Sequence, residues 1–256
     1  MRTLVCGDIH GALKALKQSL ERANYDSTKD KLIFLGDYVD GWSESSELIE
    51  YLIKLNEKAI HKSIFLLGNH DKWCMDWLIL GQTPINWVMQ GGRATIDSYV
   101  ITSYLTEDSH REFFNKCLLY YVDEENRGFT HGGFTSKEGL GHEEHEARYY
   151  WDRDLWNLAL LSDKRIHEGP ESSRRFEKHK EIYVGHTSTI NWNNKPHYKE
   201  YDGTNSVITV PMNRCNVWNM DTGGGFKGKV TVMDINTKEY FQSDFVKELY
   251  PNEKGR

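Results

Sequence analysis

The chain has 256 residues, of which 38% are hydrophobic and 27% are charged, and its formal net charge at pH 7 is −6. No apolar run approaches the roughly 18 residues that a membrane-spanning helix needs. The negative net charge argues against duplex nucleic acid as a partner, because a basic face is needed to neutralise phosphates. We therefore expect a soluble protein with no membrane span and no duplex nucleic-acid partner. An α/β chain of this length commonly folds around one core, so we expect a single domain over residues 1–256.

The start of the chain indicates a cytoplasmic protein, and the cysteines indicate thiols without disulfides. The first apolar stretch, Leu4 to Cys6, runs directly into Gly7-Asp8 and leaves no room for the apolar region of a signal peptide. The four cysteines form no Cys-x-x-Cys pair, and a fold of this size does not need disulfides. We interpret them as buried thiols: Cys6, Cys74, Cys117 and Cys215.

Short β-type runs recur along the chain, and a glycine with a polar or metal-binding residue follows each run. The runs are Thr3 to Cys6, Leu32 to Leu35, Ile64 to Leu67, Gly128 to Thr130 and Ile182 to Val184. Apolar residues at spacings of three and four predict helices between them, as at Leu13, Leu16 and Leu20. This alternation is typical of a largely parallel sheet, in which ligands collect outside the carboxyl ends of the strands.

The second half of the chain is less regular. Lys72 to Asn126 reads mostly as helix. Three late runs then predict strands and a second sheet near the carboxyl end: Val217 to Met220, Val230 to Met233 and Tyr240 to Gln242.

Five predicted strand ends carry residues that can bind a metal ion. They are Gly7-Asp8-Ile9-His10-Gly11, Gly36-Asp37-Tyr38-Val39-Asp40-Gly41, Gly68-Asn69-His70-Asp71, His131-Gly132-Gly133 and Gly185-His186-Thr187. Taken singly, an aspartate after a strand often caps a helix, and a lone histidine is more often structural than a ligand. The ordered combination makes coincidence remote. A mixed set of oxygen and nitrogen donors suits Mn, Fe or Zn better than Ca.

Together these motifs resemble the calcineurin-like metallophosphoesterase superfamily. Within it, the phosphoprotein phosphatase family is the most similar, especially its bacterial and phage serine/threonine phosphatases and the symmetrical diadenosine tetraphosphatases. The resemblance covers residues 7 to about 235, because Asn219-Met220-Asp221-Thr222-Gly223 is similar to the late strand and turn of the family. It implies an α/β (α+β) fold, a four-layer αββα sandwich of two mixed β-sheets flanked by helices.

The resemblance also implies a centre of two divalent metal ions, most readily Mn, with Fe or Zn as alternatives. Asp8, His10 and Asp37 would hold the first ion, and Asp37 would bridge to the second. The second ion would take the remaining ligands Asn69, His131 and His186. Two such ions roughly 3.5 to 4 Å apart can generate a bridging hydroxide as nucleophile and stabilise the transition state of phosphoryl transfer.

Two further residues of the motifs have roles in acid catalysis by the same resemblance. His70 would donate a proton to the leaving group as general acid, and Asp40 would orient it. Arg153 and Asn69 would contact the substrate phosphate, although Arg153 could equally form an ordinary surface ion pair. Two arginines typical of the family are missing, since Gly41 and Leu67 stand in their places. Their loss would weaken phosphate binding or transfer it to other residues.

These observations favour an enzyme that hydrolyses phosphomonoesters, with phosphorylated proteins or small phosphoesters as substrates. Cleavage of a diadenosine polyphosphate is the alternative, favoured by Leu67-Gly68-Asn69-His70-Asp71, whereas Val39-Asp40 follows the phosphatase pattern. A protein of another class, an inactive scaffold that binds another protein, gains some support from the missing arginines. The sequence leaves the physiological substrate, the metal and the oligomeric state open.

Overall fold

The computed structural model describes residues 1–162, 171–192 and 208–256, and two five-stranded sheets organise them. The strands are Arg2–Cys6 (β1), Asp30–Phe34 (β2), Ile64–Phe65 (β3), Tyr120–Val122 (β4), Arg127–Thr130 (β5), Glu181–Val184 (β6), Met212–Arg214 (β7), Val217–Asn219 (β8), Thr231–Asp234 (β9) and Tyr240–Gln242 (β10). The α-helices are Leu13–Arg22 (α1), Ser45–Lys58 (α2), Asn69–Leu80 (α3), Ile85–Trp87 (α4), Arg93–Thr102 (α5), Asp108–Asn115 (α6), Arg148–Trp151 (α7), Asp154–Ser162 (α8) and Val246–Leu249 (α9). None of the helices in these ranges is long and apolar enough to cross a lipid bilayer.

The first sheet has the strand order β10-β9-β1-β2-β3. Its strands β1, β2 and β3 are parallel, with Leu4 opposite Leu32 and Ile33 opposite Ile64. Helix α1 connects β1 to β2 and helix α2 connects β2 to β3, as the apolar spacings predict. The parallel arrangement places the ends of β1, β2 and β3 at one edge of the sheet.

The second sheet has the strand order β4-β5-β6-β8-β7, in which β5, β6 and β8 are parallel. The predicted second sheet at the carboxyl end is therefore wrong in part. Of the three late runs, only β8 belongs to this sheet, whereas β9 and β10 pair antiparallel beside β1 in the first. Strand periodicity shows which residues form a strand but not which neighbour it pairs with, because pairing depends on contacts that are distant in sequence.

Successive side chains of a strand point to opposite faces of its sheet, and this alternation produces the layers of the fold. In β1, Leu4 belongs to the apolar cluster under α1 and α2, whereas Val5 belongs to a separate cluster between the two sheets. In the second sheet Tyr183 also enters the inter-sheet cluster, where its ring stacks on Phe129 at 4.9 Å between centroids. Strands buried on both faces read as continuous apolar runs, which explains the sequence pattern. The fold is the four-layer arrangement of two mixed sheets flanked by helices, as predicted.

The thiols are less uniform than the sequence suggests. All four cysteines lie in the described ranges and none forms a disulfide; Cys6 and Cys74 are buried as predicted, but Cys117 is only partly buried. The prediction is wrong for Cys215, which is exposed. Cys215 lies between β7 and β8 with a φ of 53°, so its position in a tight turn directs it to the surface.

The apolar cluster between the two sheets, which includes Ile33, leads to a prediction about stability. Ile33 is 1% exposed between the sheets, whereas Ile101 at the end of α5 is 81% exposed. We expect Ile33→Ala to lower the free energy of unfolding by about 2–5 kcal/mol, because it removes buried methyl groups and leaves a cavity. Ile101→Ala is the matched control and should change it by about 0.5 kcal/mol at most. Urea denaturation measures both, and equal losses would contradict the assignment of Ile33 to a core.

Candidate metal centre and acid pair

The predicted site residues lie directly after strands of both sheets. Asp8 and His10 follow β1, Asp37 and Asp40 follow β2, and Asn69 and His70 begin α3 shortly after β3. From the second sheet, His131 follows β5 and His186 follows β6. All eight side chains are buried. The structure thus brings together at one place residues that the chain separates by up to 178 positions, as in the contact between the His186 amide and the Asp8 carboxylate.

Two groups of candidate ligand atoms share one carboxylate. The ligand atoms of Asp8, His10 and Asp37 lie within 4.8 Å of one another, and so do those of Asp37, His131 and His186. Asn69 adjoins the second group, because its Oδ1 lies 3.2 Å from His131 Nε2. Asp37 is common to both groups, so the arrangement can hold two ions that share one bridging carboxylate.

Backbone carbonyls orient two of the imidazoles. His10 Nδ1 lies 2.9 Å from the carbonyl oxygen of Val39, and His131 Nδ1 lies 2.9 Å from that of Leu35. Each Nδ1–H can donate to its carbonyl, which leaves the Nε2 lone pair free for a metal ion. Within the described ranges, His186 Nε2 and Asp37 Oδ2 are buried without a hydrogen-bond partner. Such orphaned polar atoms are costly unless an ion or water takes them up, so the donor set fits a metal centre.

The carboxylates of the site are crowded and buried. Burial, with the negative charges of Asp221 and Asp37, raises the pKa of Asp8 well above its usual range. Burial also raises the pKa of Asp221 to about 6. Burial opposes ionisation of Asp37 too, but the imidazoles of His131 and His70 hold its pKa well below the usual range. Bound cations would offset the repulsion among these groups.

His70 and Asp40 form a buried pair beside these groups. His70 Nδ1 lies 2.6 Å from Asp40 Oδ2, and the His70 ring is 5.1 Å from the His10 ring between centroids. Burial lowers the pKa of His70 to about 3 and raises the pKa of Asp40 to about 8. Burial therefore favours a pair without net charge, with one proton shared between the carboxyl and Nδ1. His70 Nε2 is buried and has no partner among the described residues.

Two residues that the sequence did not indicate hold Asp40 in place. Trp87 Nε1 donates to Asp40 Oδ2 at 2.7 Å, and Thr95 Oγ1 donates to Asp40 Oδ1 at 2.6 Å. They come from α4 and α5, whose junction is kinked at Gly91 with a φ of 106°. No sequence motif marks them, because the contacts span 47 and 55 positions of the chain.

Asp71 supports the loop that carries the shared residue Asp37. Its carboxylate accepts the backbone N–H groups of Asp37 at 2.7 Å, Tyr38 at 2.8 Å and Gly68 at 2.9 Å. Asp37 Oδ1 in turn accepts the backbone N–H of His70 at 3.0 Å. Asp71 stands in the third motif, so its place in the sequence could have suggested a structural role. These bonds fix the second and third strand ends relative to each other.

The backbone of the site is unusual in conformation. Four of its side chains stand on residues with positive φ: His10 at 54°, Asp37 at 53°, Asp40 at 73° and His186 at 66°. Such conformations cost free energy in residues other than glycine and concentrate at functional sites. Close approach also demands glycine at position 185, where a Cβ would lie 2.2 Å from Asp8 Oδ1. The motif glycines therefore allow the strand ends to crowd together.

Arg153 lies at the edge of the second group of ligand atoms. Its Nη1 donates to the carbonyl oxygen of His186 at 2.9 Å and to Thr187 Oγ1 at 3.0 Å. Arg153 is exposed overall, but partial desolvation of its guanidinium, together with the positive charge of Arg256, lowers its pKa. Among the residues described, Arg153 forms no ion pair with a carboxylate. The described contacts of Arg153 are therefore to a carbonyl and a hydroxyl oxygen next to the second group of ligand atoms.

Comparison with known proteins agrees with this geometry. A model of the calcineurin-like phosphoesterases matches residues 1–209. The chain is 38% identical over 79 residues to the symmetrical bis(5'-nucleosyl)-tetraphosphatase of Coxiella burnetii (strain Dugway 5J108-111), a match that covers 31% of this chain and 24% of that protein. The chain thus spans about a quarter of the length of the curated relatives that it matches.

Solved structures share the fold over most of the chain. A provisionally assigned diadenosine tetraphosphatase superposes with a TM-score of 0.58 at 13% identity, covering 94% of this chain and 92% of its own. A serine/threonine protein phosphatase from Saccharomyces cerevisiae also superposes with a TM-score of 0.58, at 15% identity, covering 96% of this chain and 79% of its own. At such identities the likeness concerns the fold alone. On the match of the family model, the chain belongs to the calcineurin-like phosphoesterase family.

Proposed function

We propose that the protein is a phosphomonoester hydrolase that uses two divalent metal ions and acts on phosphoserine or phosphothreonine in proteins. The observation that carries this proposal is the buried pair of His70 and Asp40, 2.6 Å apart, beside the candidate metal ligands. A proton donor built in this way is needed when the leaving group is a strongly basic alkoxide, as in hydrolysis of a serine or threonine phosphate.

The metal ligands follow from the two groups of donor atoms. We assign Asp8, His10 and Asp37 to the first ion. The second ion shares Asp37 and takes the ligands Asn69, His131 and His186. The ions would be Mn, with Fe or Zn as alternatives, because carboxylate, amide and imidazole donors suit all three. When bound, they supply activation of water and polarisation of the phosphoryl oxygens.

We assign Asn69 and Arg153 to contacts with the substrate phosphate. Asn69 Nδ2 is buried without a partner among the described residues, so it can donate to a phosphoryl oxygen while Oδ1 faces the metal ligands. Arg153 uses Nη1 for His186 and Thr187. Its remaining N–H groups can contact phosphate oxygens with charge assistance.

The acid step uses the shared proton of the pair. As the leaving oxygen gains charge, His70 Nε2–H transfers its proton to it, and the proton shared with Asp40 settles on His70 Nδ1. The pair ends as a neutral imidazole that donates to an Asp40 carboxylate. Trp87 and Thr95 already donate to that carboxylate, so their bonds support the charge that Asp40 gains.

Hydrolysis of diadenosine tetraphosphate is the second candidate, supported by the name of the curated relatives and by the Leu67-Gly68-Asn69-His70-Asp71 motif. Symmetrical cleavage expels a nucleoside diphosphate, which leaves as a weak base and gains little from a proton donor. The His70–Asp40 pair therefore supports the monoester. An inactive scaffold is the candidate from another class, and the two complete groups of ligand atoms argue against it.

A substrate panel tests the proposed activity. We expect protein loaded with Mn²⁺ to release phosphate from p-nitrophenyl phosphate and from a phosphothreonine peptide, and to cleave diadenosine tetraphosphate at least about tenfold less efficiently in kcat/KM. The ratio of the kcat/KM values decides between the candidates. A preference for the dinucleotide would assign the second candidate, and a protein without metal or turnover would assign the scaffold.

Removal of the shared carboxylate tests the metal assignment. Asp37→Asn should abolish binding of the ions and lower kcat/KM by more than about 100-fold, because both groups of ligand atoms lose their common member. Metal content by elemental analysis and thermal shift with Mn²⁺ provide readouts independent of turnover. Asp97→Asn removes an exposed carboxylate on α5 and should leave both unchanged. Retention of two ions in Asp37→Asn would contradict the bridging role.

The general acid is tested through the basicity of the leaving group. His70→Asn should lower kcat for a phosphothreonine peptide by about 10²–10⁴-fold, and that for p-nitrophenyl phosphate far less, because nitrophenolate leaves readily without a proton. Asp40→Asn should show the same dependence on leaving group. His110→Asn is a matched control, since His110 is also buried and has a carboxylate partner, Glu50, at 3.3 Å. Equal losses on both substrates would exclude an acid role for His70.

A further inference from the structure

The segment after α9 folds back over the first group of metal-ligand atoms. The Tyr250 ring stacks on Trp42 at 5.2 Å between centroids, and the Glu253 carboxylate accepts the backbone N–H of Ser43 at 2.9 Å and its hydroxyl at 2.8 Å. Gly255 packs against the Trp42 indole so closely that a Cβ would lie 2.7 Å from Cζ2. Three successive contacts therefore dock residues 250–256 onto the loop that carries the second motif.

Arg256 of the docked segment brings its guanidinium group to the site. The Arg256 backbone N–H donates to the carbonyl oxygen of Gly225 at 2.8 Å, and Arg256 Nη1 lies 3.2 Å from His10 Nε2. The guanidinium carbon lies 5.4 Å from the centroid of the Phe226 ring. No carboxylate of the described residues forms an ion pair with Arg256. The guanidinium interacts electrostatically with Asp8, Asp40 and Asp221 but forms no close ion pair with them, so its N–H groups can bind an anion.

Arg256 also fills the space beside Gly41. A Cβ added at Gly41 would lie 3.4 Å from both the backbone nitrogen and the Cβ of Arg256. Position 41 is one of the two at which the resemblance leads us to expect an arginine. The chain therefore has no side chain at that position but brings a guanidinium group to the same neighbourhood from 215 residues further along, at position 256.

We propose that Arg256 is a substrate-binding residue that holds the phosphate of the substrate from the His10 side of the centre. This inference rests on the proposed function and names a residue for it. Arg153 contacts His186 and Arg256 contacts His10, so one arginine lies at each group of ligand atoms. His10 Nε2 cannot serve a metal ion and Arg256 at once. When His10 binds an ion, the guanidinium N–H groups are free for oxygens of the bound phosphate.

Affinity for inorganic phosphate tests the inference directly. With metal-loaded protein, Arg256→Ala should weaken binding of inorganic phosphate by roughly 10- to 100-fold in isothermal titration calorimetry, because a charge-assisted contact is lost. KM for p-nitrophenyl phosphate should rise similarly, while metal content stays the same. Arg256→Lys should recover part of the loss, since lysine keeps the charge but not the fork. Lys254→Ala removes an exposed cation of the same segment and should change the affinity by less than about twofold.

A variant of the docking contact tests whether phosphate binding depends on the position of Arg256 as well as on its charge. Glu253→Ala keeps Arg256 but removes the acceptor of both Ser43 bonds, so it should also weaken phosphate binding. Unchanged phosphate affinity in Arg256→Ala would overturn the inference. A gain in metal affinity or turnover in Arg256→Ala would also overturn the inference, because Arg256 would then block the metal centre and inhibit the enzyme. Binding of phosphate by the metal-loaded protein without hydrolysis of any substrate would refute the proposed function but leave the role of Arg256 supported by its affinity data.

Discussion

The crowding of carboxylates in a buried place is the constraint on which the rest of the site depends. Asp8, Asp37 and Asp221 interact electrostatically while shielded from water, an arrangement that is unfavourable in the absence of cations. The surrounding structure is arranged to keep Asp37 in position nevertheless. Asp71 fixes its backbone, and Asp37 itself adopts a positive φ that only a strongly determined environment maintains. The resulting cost is offset once divalent ions occupy the donor atoms.

Contacts around the candidate metal ligands hold the neighbouring side chains of the site in position. Two donors, Trp87 and Thr95, fix the Asp40 carboxylate, and Asp40 in turn fixes His70. In the proposed acid step, the same contacts would order proton transfer from a pair whose burial favours a state without net charge. On the opposite side, residues 250–256 close over Trp42 and bring Arg256 to the site. In the proposed function, elements outside the motifs would thus adapt the common centre to one class of leaving group and to the binding of phosphate.

The sequence predicted the strand ends and their side chains well, because each of these is a local feature. An apolar run followed by glycine and an aspartate or histidine is visible in a few residues, and five such runs implied convergence in a parallel sheet. Trp87, Thr95 and Arg256 could not be predicted in this way, since their roles depend on contacts across 47 to 246 positions. The pairing of β9 with β1 was missed for the same reason.

The division of the ligands between two sheets has a consequence for the mechanics of the fold. Asp8, His10 and Asp37 follow strands of the first sheet, whereas His131 and His186 follow strands of the second. Ions held by both sets would join the sheets much as a covalent crosslink does, at the edge of the apolar layer that packs between them. The affinity for metal then depends on how stably the two sheets pack against each other. Loosening this layer at a distance, at the stacked rings of Phe129 and Tyr183, would therefore weaken the binding of the ions.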